Sequence, residues 1–211
     1  MKLKNKGMLM LVLLVFTAFS FAQQQLSASE QKSFTEKVKI SAEETRSIIS
    51  DFVQDKHISV LSDVVKSEGK MVLLMPDKIR WEYLTPTSNI AIFSGNKLYV
   101  NDDGKKNEFD LDGNKIFKSF NSLIINSIKG DMFDENQFEI TYFDKSENYM
   151  VRFIPKEKRL KKLISAFELK FDKVSAVVEE VKLIESANDF TTIRFLNRKT
   201  NVEVKPSEFQ Q

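Results

Sequence analysis

From Ile48 onward the chain repeats one pattern: short runs in which apolar and polar residues alternate, each closed by a turn signal. Successive side chains of a strand point to opposite faces, so runs of this kind specify half-buried strands. Ile48 to Val65 carries Phe52, Val60 and Val64 among polar residues, and Met71-Val72-Leu73-Leu74-Met75 is apolar on both faces up to Pro76. Ile79, Trp81 and Tyr83 share one face, opposite Arg80 and Glu82, until Pro86. Ile90-Ala91-Ile92-Phe93, Ser94-Gly95-Asn96 and Leu98-Tyr99-Val100 read as strand, turn and strand, and Asp102-Asp103-Gly104 reads as a further hairpin turn. Alternation resumes at Phe138/Ile140/Tyr142, Tyr149/Val151/Phe153, Phe167/Leu169/Phe171, Val177/Val181/Leu183 and Thr191/Ile193/Phe195, with Val202/Val204 as a last short run. The expected fold is mainly β: an unclosed antiparallel barrel of about 11 strands, with two or three helices covering its mouth.

Two stretches break the period of two. Ser27 and Glu30 have capping-box spacing, and Phe34 and Val38 lie four apart, which predicts a helix over 28–44. Ile116, Phe117, Phe120, Leu123, Ile124 and Ile128 follow helical spacing and end at Lys129-Gly130, with a short turn expected over 131–136. Before the first of these helices, Lys2, Lys4 and Lys6 precede an apolar run from Met8 to Phe21, and Ser20-Phe21-Ala22 has small-x-small form. That run is short of the roughly 20 residues needed to cross a bilayer, so residues 1–22 read as a cleaved secretory signal. Residues 23–211 then form a single exported domain without repeats or a linker.

Composition removes most chemistry. The chain has no cysteine and one histidine, which excludes disulfides, thiolate metal sites and any site needing two imidazoles. Lys+Arg 32 against Asp+Glu 30 lacks the basic excess of a nucleic-acid binder. His57 has no nucleophile turn to serve, so it reads as a strand histidine. Asp110-Leu111-Asp112-Gly113 opens like a calcium loop, but the twelfth position is Asn121 rather than a bidentate glutamate. The adjacent Glu179 and Glu180 lack the geometry by which two carboxylates flank a sugar. Neither a metal nor a cofactor is expected, and binding is favoured over catalysis. An exported hydrolase is the remote alternative.

The dense basic run Lys156, Lys158, Arg159, Lys161 and Lys162 reads as a solvated loop or as a docking patch for an acidic partner or anionic headgroups. The apolar faces admit two readings, a filled core or a cavity lined with aromatic and thioether side chains.

Phe52-Val53-Gln54-Asp55-Lys56, Gly69-Lys70-Met71 and Pro76-Asp77-Lys78-Ile79-Arg80-Trp81-Glu82-Tyr83 come in a recognisable order. Pro86, Ser94-Gly95-Asn96-Lys97-Leu98-Tyr99, Phe195-Leu196-Asn197 and Asn201 follow. Over about residues 45–205 the chain resembles the periplasmic outer-membrane lipoprotein carriers, the LolA-like family. The resemblance implies an unclosed barrel with a helical lid and an apolar cavity for acyl chains. It also implies a periplasmic location and a monomer that uses no cofactor. Such a carrier takes acylated lipoproteins from an inner-membrane ABC release complex to an outer-membrane acceptor. On this reading the cavity is lined by Phe52, Met71, Leu73, Met75, Ile79, Trp81, Tyr83, Ile90 and Ile92, under a lid carrying Phe34, Phe120, Leu123 and Ile124. Lys156, Lys158 and Arg159 would meet partners. In the best-studied carriers an arginine before the proline ties the lid to the barrel; here Met75 stands there, and Arg80 is expected on the opposite face. A carrier of another lipid, a glycolipid or an acylated pigment is the alternative.

Overall fold

The computed structural model describes residues 24–111 and 130–210, and in it the alternating runs become one open antiparallel sheet of twelve strands. The first meander is β2 (Ser47–His57), β3 (Val65–Leu74), β4 (Lys78–Thr85), β5 (Asn89–Ser94), β6 (Lys97–Asp102) and β7 (Lys105–Asp110). The second is β8 (Phe138–Asp144), β9 (Asn148–Pro155), β10 (Ala166–Asp172), β11 (Val178–Ile184) and β12 (Phe190–Thr200). β12 returns to pair with β2 and joins the two, while the two-residue β1 (Gln24–Gln25) extends β8. Among the described residues β7 and β1 are the sheet's two edges and do not pair with each other, so the sheet does not close.

The predicted first helix is found as α1 (Ala28–Glu44). Ser27 caps it: its side chain accepts from the Glu30 amide while the Glu30 carboxylate accepts from the Ser27 amide. α1 buries Phe34 and Val38 on the inner face of the second meander. Phe34 meets the rings of Phe133, Tyr142, Tyr149 and Phe171 at 5.0–6.4 Å, so this half of the sheet is filled by its own aromatics.

Two expectations are corrected. Val202 and Val204 form no strand: the chain runs extended there and ends in a 3-10 turn, Pro206–Phe209. Lys158, Arg159, Lys161 and Lys162 of the basic run lie not in a loop but in α2 (Lys158–Leu163), because the Glu157 carboxylate accepts from the amides of Arg159 and Leu160 and Leu160 has an apolar surface to bury against. The C-terminal segment also covers part of the outer face. Phe209 packs on Val72 and Ile92 with Val204 and Tyr99 alongside, which explains why β3 and β5 are apolar on both sides. Elsewhere the outer face carries cross-strand ion pairs, Arg152–Glu168 at 2.7 Å and Lys170–Glu180 at 2.6 Å. The signal segment expected over 1–22 and the helix expected over 116–128, with Phe120, Leu123 and Ile124, lie outside the described residues.

Candidate functional site

The register assembles the site. Met71 pairs with Trp81, Leu73 with Ile79 and Ile48 with Leu73, so these side chains share the inner face of the first meander. Phe52, Met71, Leu73 and Ile79 are its buried floor; Met75, Trp81, Tyr83, Phe93, Ile193 and Phe195 pack against them and stay half-buried. Phe52 stacks on Trp81 at 4.2 Å and 27° and meets Tyr83 edge-on at 5.3 Å, while Trp81 reaches Phe195 at 6.1 Å. The Tyr83 hydroxyl donates to the Gln54 side-chain carbonyl at 2.9 Å, and burial pushes its pKa up. The inner face is thus packed by its own aromatics in one half and presents half-exposed aromatic and thioether surface in the other. Such a surface suits flexible apolar ligands, because aromatic rings bury large areas and thioethers repack readily.

Seven of the residues picked from sequence meet in this cluster: Phe52, Met71, Leu73, Met75, Ile79, Trp81 and Tyr83. Phe34 belongs to the other, filled cluster under α1. Ile90 and Ile92 are a correction of face. Ile92 pairs with Arg80 and Ile90 with Glu82, whereas Trp81 faces Ala91; both isoleucines therefore pack on the outer side with Val72 and Phe209. A run apolar on both faces carries no parity signal, and the neighbouring strand's register decides it. Phe93, Ile193 and Phe195 are absent from the sequence-based cavity, although the alternation Thr191/Ile193/Phe195 could have supplied two of them. Arg80 lies on the outer face as expected, donating to Glu82 at 3.0 Å and to the Glu208 carbonyl at 3.3 Å.

The remaining polar candidates are scattered. His57 ends β2 and stacks on Phe190 at 4.2 Å. Lys158 and Arg159 are exposed on α2, and the Lys156 ammonium donates to the Glu135 carbonyl at 2.6 Å. Glu180 pairs with Lys170 on the outer face, while Glu179 borders a cleft beside Phe195. Among the described residues no group of three His, Asp or Glu side chains is placed to hold a metal.

The cleft, of about 410 Å³, opens where β11 and β12 both lose register. On β12 the pairs Leu196–Asp51 and Lys199–Ile49 leave Asn197 and Arg198 opposite Ser50 alone, a bulge with Asn197 at φ +51°. The Ser50 hydroxyl donates to the Leu196 carbonyl at 2.8 Å and the Asn197 amide to Asp51 at 2.9 Å, which holds the bulge. Arg198 is thereby brought beside Phe195, with its guanidinium carbon 5.5 Å from the ring centre.

A family model described as outer membrane lipoprotein carrier protein LolA matches residues 43–211. An outer-membrane lipoprotein carrier protein of Francisella philomiragia is 27% identical over 148 residues, covering 70% of this chain and 68% of that protein. One of the same name from Methylococcus capsulatus is 22% identical over 201 residues, covering 95% and 91%. Among solved structures, an uncharacterized conserved protein of Thermus thermophilus superposes with a TM-score of 0.56 at 8% identity, covering 86% of this chain and 93% of that one, a likeness of fold. An open antiparallel sheet with an apolar inner face, matched by the family model from before β2 to the C-terminus, makes this chain a member of the LolA family of outer membrane lipoprotein carrier proteins.

Proposed function

We propose that the protein is a periplasmic, non-enzymatic carrier that holds the acyl chains of lipoproteins on the inner face of its first meander and moves them from the inner to the outer membrane. The observation that carries this reading is the half-buried apolar surface of Met75, Trp81, Tyr83, Phe93 and Phe195 above the buried floor of Phe52, Met71, Leu73 and Ile79. Residues 1–22 serve as the export signal. An inner-membrane ABC release complex loads the carrier, an outer-membrane acceptor unloads it, and the exposed Lys158 and Arg159 take part in docking. Each methylene removed from water contributes about 0.8 kcal/mol, so one long acyl chain represents on the order of 10 kcal/mol and does not cross an aqueous space unaided. An open sheet leaves one side of the ligand accessible, which keeps release feasible.

Native mass spectrometry of the mature protein with a purified triacylated lipoprotein tests the reading. A one-to-one complex is expected with the acylated form, absent with the deacylated form and weakened by Trp81→Glu. A charge at Trp81 is the suitable probe because its ring is half-buried. Ile79, which the sequence alone would offer equally, is 3% exposed between Leu73 and Phe93, and a charge there would unfold the meander. No complex, with a smaller lipid retained by the purified protein, would transfer the role to another lipid cargo.

A further inference from the structure

We propose that Arg198 is a headgroup site: a cation at the border of the apolar face that takes the anionic group, carboxylate or phosphate monoester, of an amphiphile whose acyl chain lies along Trp81 and Phe195. The proposal rests on the acyl-binding reading above and adds a second ligand class for that surface, since the acylated cysteine of a lipoprotein carries ester, amide and thioether groups but no anionic headgroup. Phe195 connects the two parts, with its ring 6.1 Å from Trp81 on one side and 5.5 Å from the guanidinium on the other.

The other arginines of the sheet are all paired. Arg80, Arg152 and Arg194 each hold a carboxylate within 3.0 Å, on Glu82, Glu168 and Asp55. Among the described residues Arg198 has no carboxylate within 4.0 Å; its Nη2 donates to the Val178 carbonyl, which leaves most of a five-donor fork open. The two acids near it do not fill that role. Asp172 and Glu179 both line the cleft but neither forms an ion pair with Arg198: one Asp172 oxygen, Oδ1, accepts from the Val174 and Ser175 amides and the Ser175 hydroxyl, and Glu179 is exposed. Burial lowers the pKa of Arg198 and the Glu179 charge only opposes this, as expected of a partly desolvated cation without a contact ion. Buried charges are normally paired, and a planar guanidinium matches carboxylate and phosphate oxygens in particular. The cleft of about 410 Å³, lined by Phe195, Val178, Ser175, Thr200 and the two acids Asp172 and Glu179 around Arg198, has room for a headgroup and the first methylenes.

Trp81 is the one tryptophan of the chain, so its fluorescence reports acyl chains reaching the inner face. Quenching by 9,10-dibromostearic acid is compared at pH 8 with that by its methyl ester and by a dibrominated lysophosphatidate. The acid is expected to bind about tenfold more tightly than the ester, the size of one charge-assisted hydrogen bond. Arg198→Gln is expected to abolish this preference and Arg198→Lys to retain part of it, with thermal melts confirming that both variants fold. The lysophosphatidate compares phosphate with carboxylate as the source of the anion. Equal binding of acid and ester by the parent protein, or a preference that survives in Arg198→Gln, overturns the proposal while leaving acyl binding intact. Absence of quenching by all three ligands overturns the acyl-binding reading, and this one with it.

Discussion

Gly69 shows how one residue sets the floor of the site. It faces Phe52 across the β2–β3 pair, next to a register shift, and a Cβ there would lie 2.1 Å from the Glu82 carbonyl oxygen and 2.4 Å from the Phe52 ring. The missing side chain is the space in which the Phe52 ring lies, and through that ring it sets the stack with Trp81. Gly69→Ala is therefore expected to cost about 2 kcal/mol or more, since backbone on one side and a buried ring on the other leave little room to relax. Urea denaturation measures the loss, and a redshift of Trp81 emission would accompany it. Phe52 was legible in the sequence as an inward residue. Gly69 was visible only as part of a motif, because an absent side chain has no polarity to read.

At the scale of elements, local chemistry and burial divide the work. α1 is specified locally: the Ser27 and Glu30 capping box starts it, and Phe34 and Val38 give it one apolar stripe. Ser27→Ala is expected to lower stability by about 1 kcal/mol, read as a drop of a few degrees in thermal melting. The effect reaches the sheet because Phe34 fills the aromatic cluster of the second meander. β4 was equally legible, since Arg80 and Glu82 alternate with Ile79, Trp81 and Tyr83. β5 was not, because its outer residues Ile90 and Ile92 are covered by Val204 and Phe209, more than 100 positions away in the chain. α2 was hidden for a different reason: four of its six residues are basic, and only the burial of Leu160 reveals a helix.

Across the whole molecule, the pairing of β12 with β2 makes one sheet of two meanders and leaves β7 and β1 as edges. β7 is exposed along its entire length and charged at Lys105, Lys106, Glu108 and Asp110, a composition that discourages pairing with a further strand. Hydrogen–deuterium exchange is expected to be slowest in β2, β9 and β10, which have partners on both sides and buried rings, and fastest in β7 and β1. Protection of β7 equal to that of β2 would contradict an open edge there. The same asymmetry bears on function, because the second meander is filled from within while the first presents its apolar surface.

The sequence alone determined most of the strands and hairpins, the first helix with its cap, the absence of thiol and two-histidine chemistry, and most of the apolar cluster. All of these follow from local periodicity, capping chemistry and composition. Tertiary structure decided what depends on partners distant in the chain. The register of β4 against β5 set the face of Ile90 and Ile92, and the C-terminal segment buried that outer face. α1 assigned Phe34 to the filled half rather than to the half-buried cluster of the first meander. The bulge opposite Ser50 brought Arg198 beside Phe195, because inserting one residue shifts the alternation that follows, and that shift exists only once β12 has paired with β2.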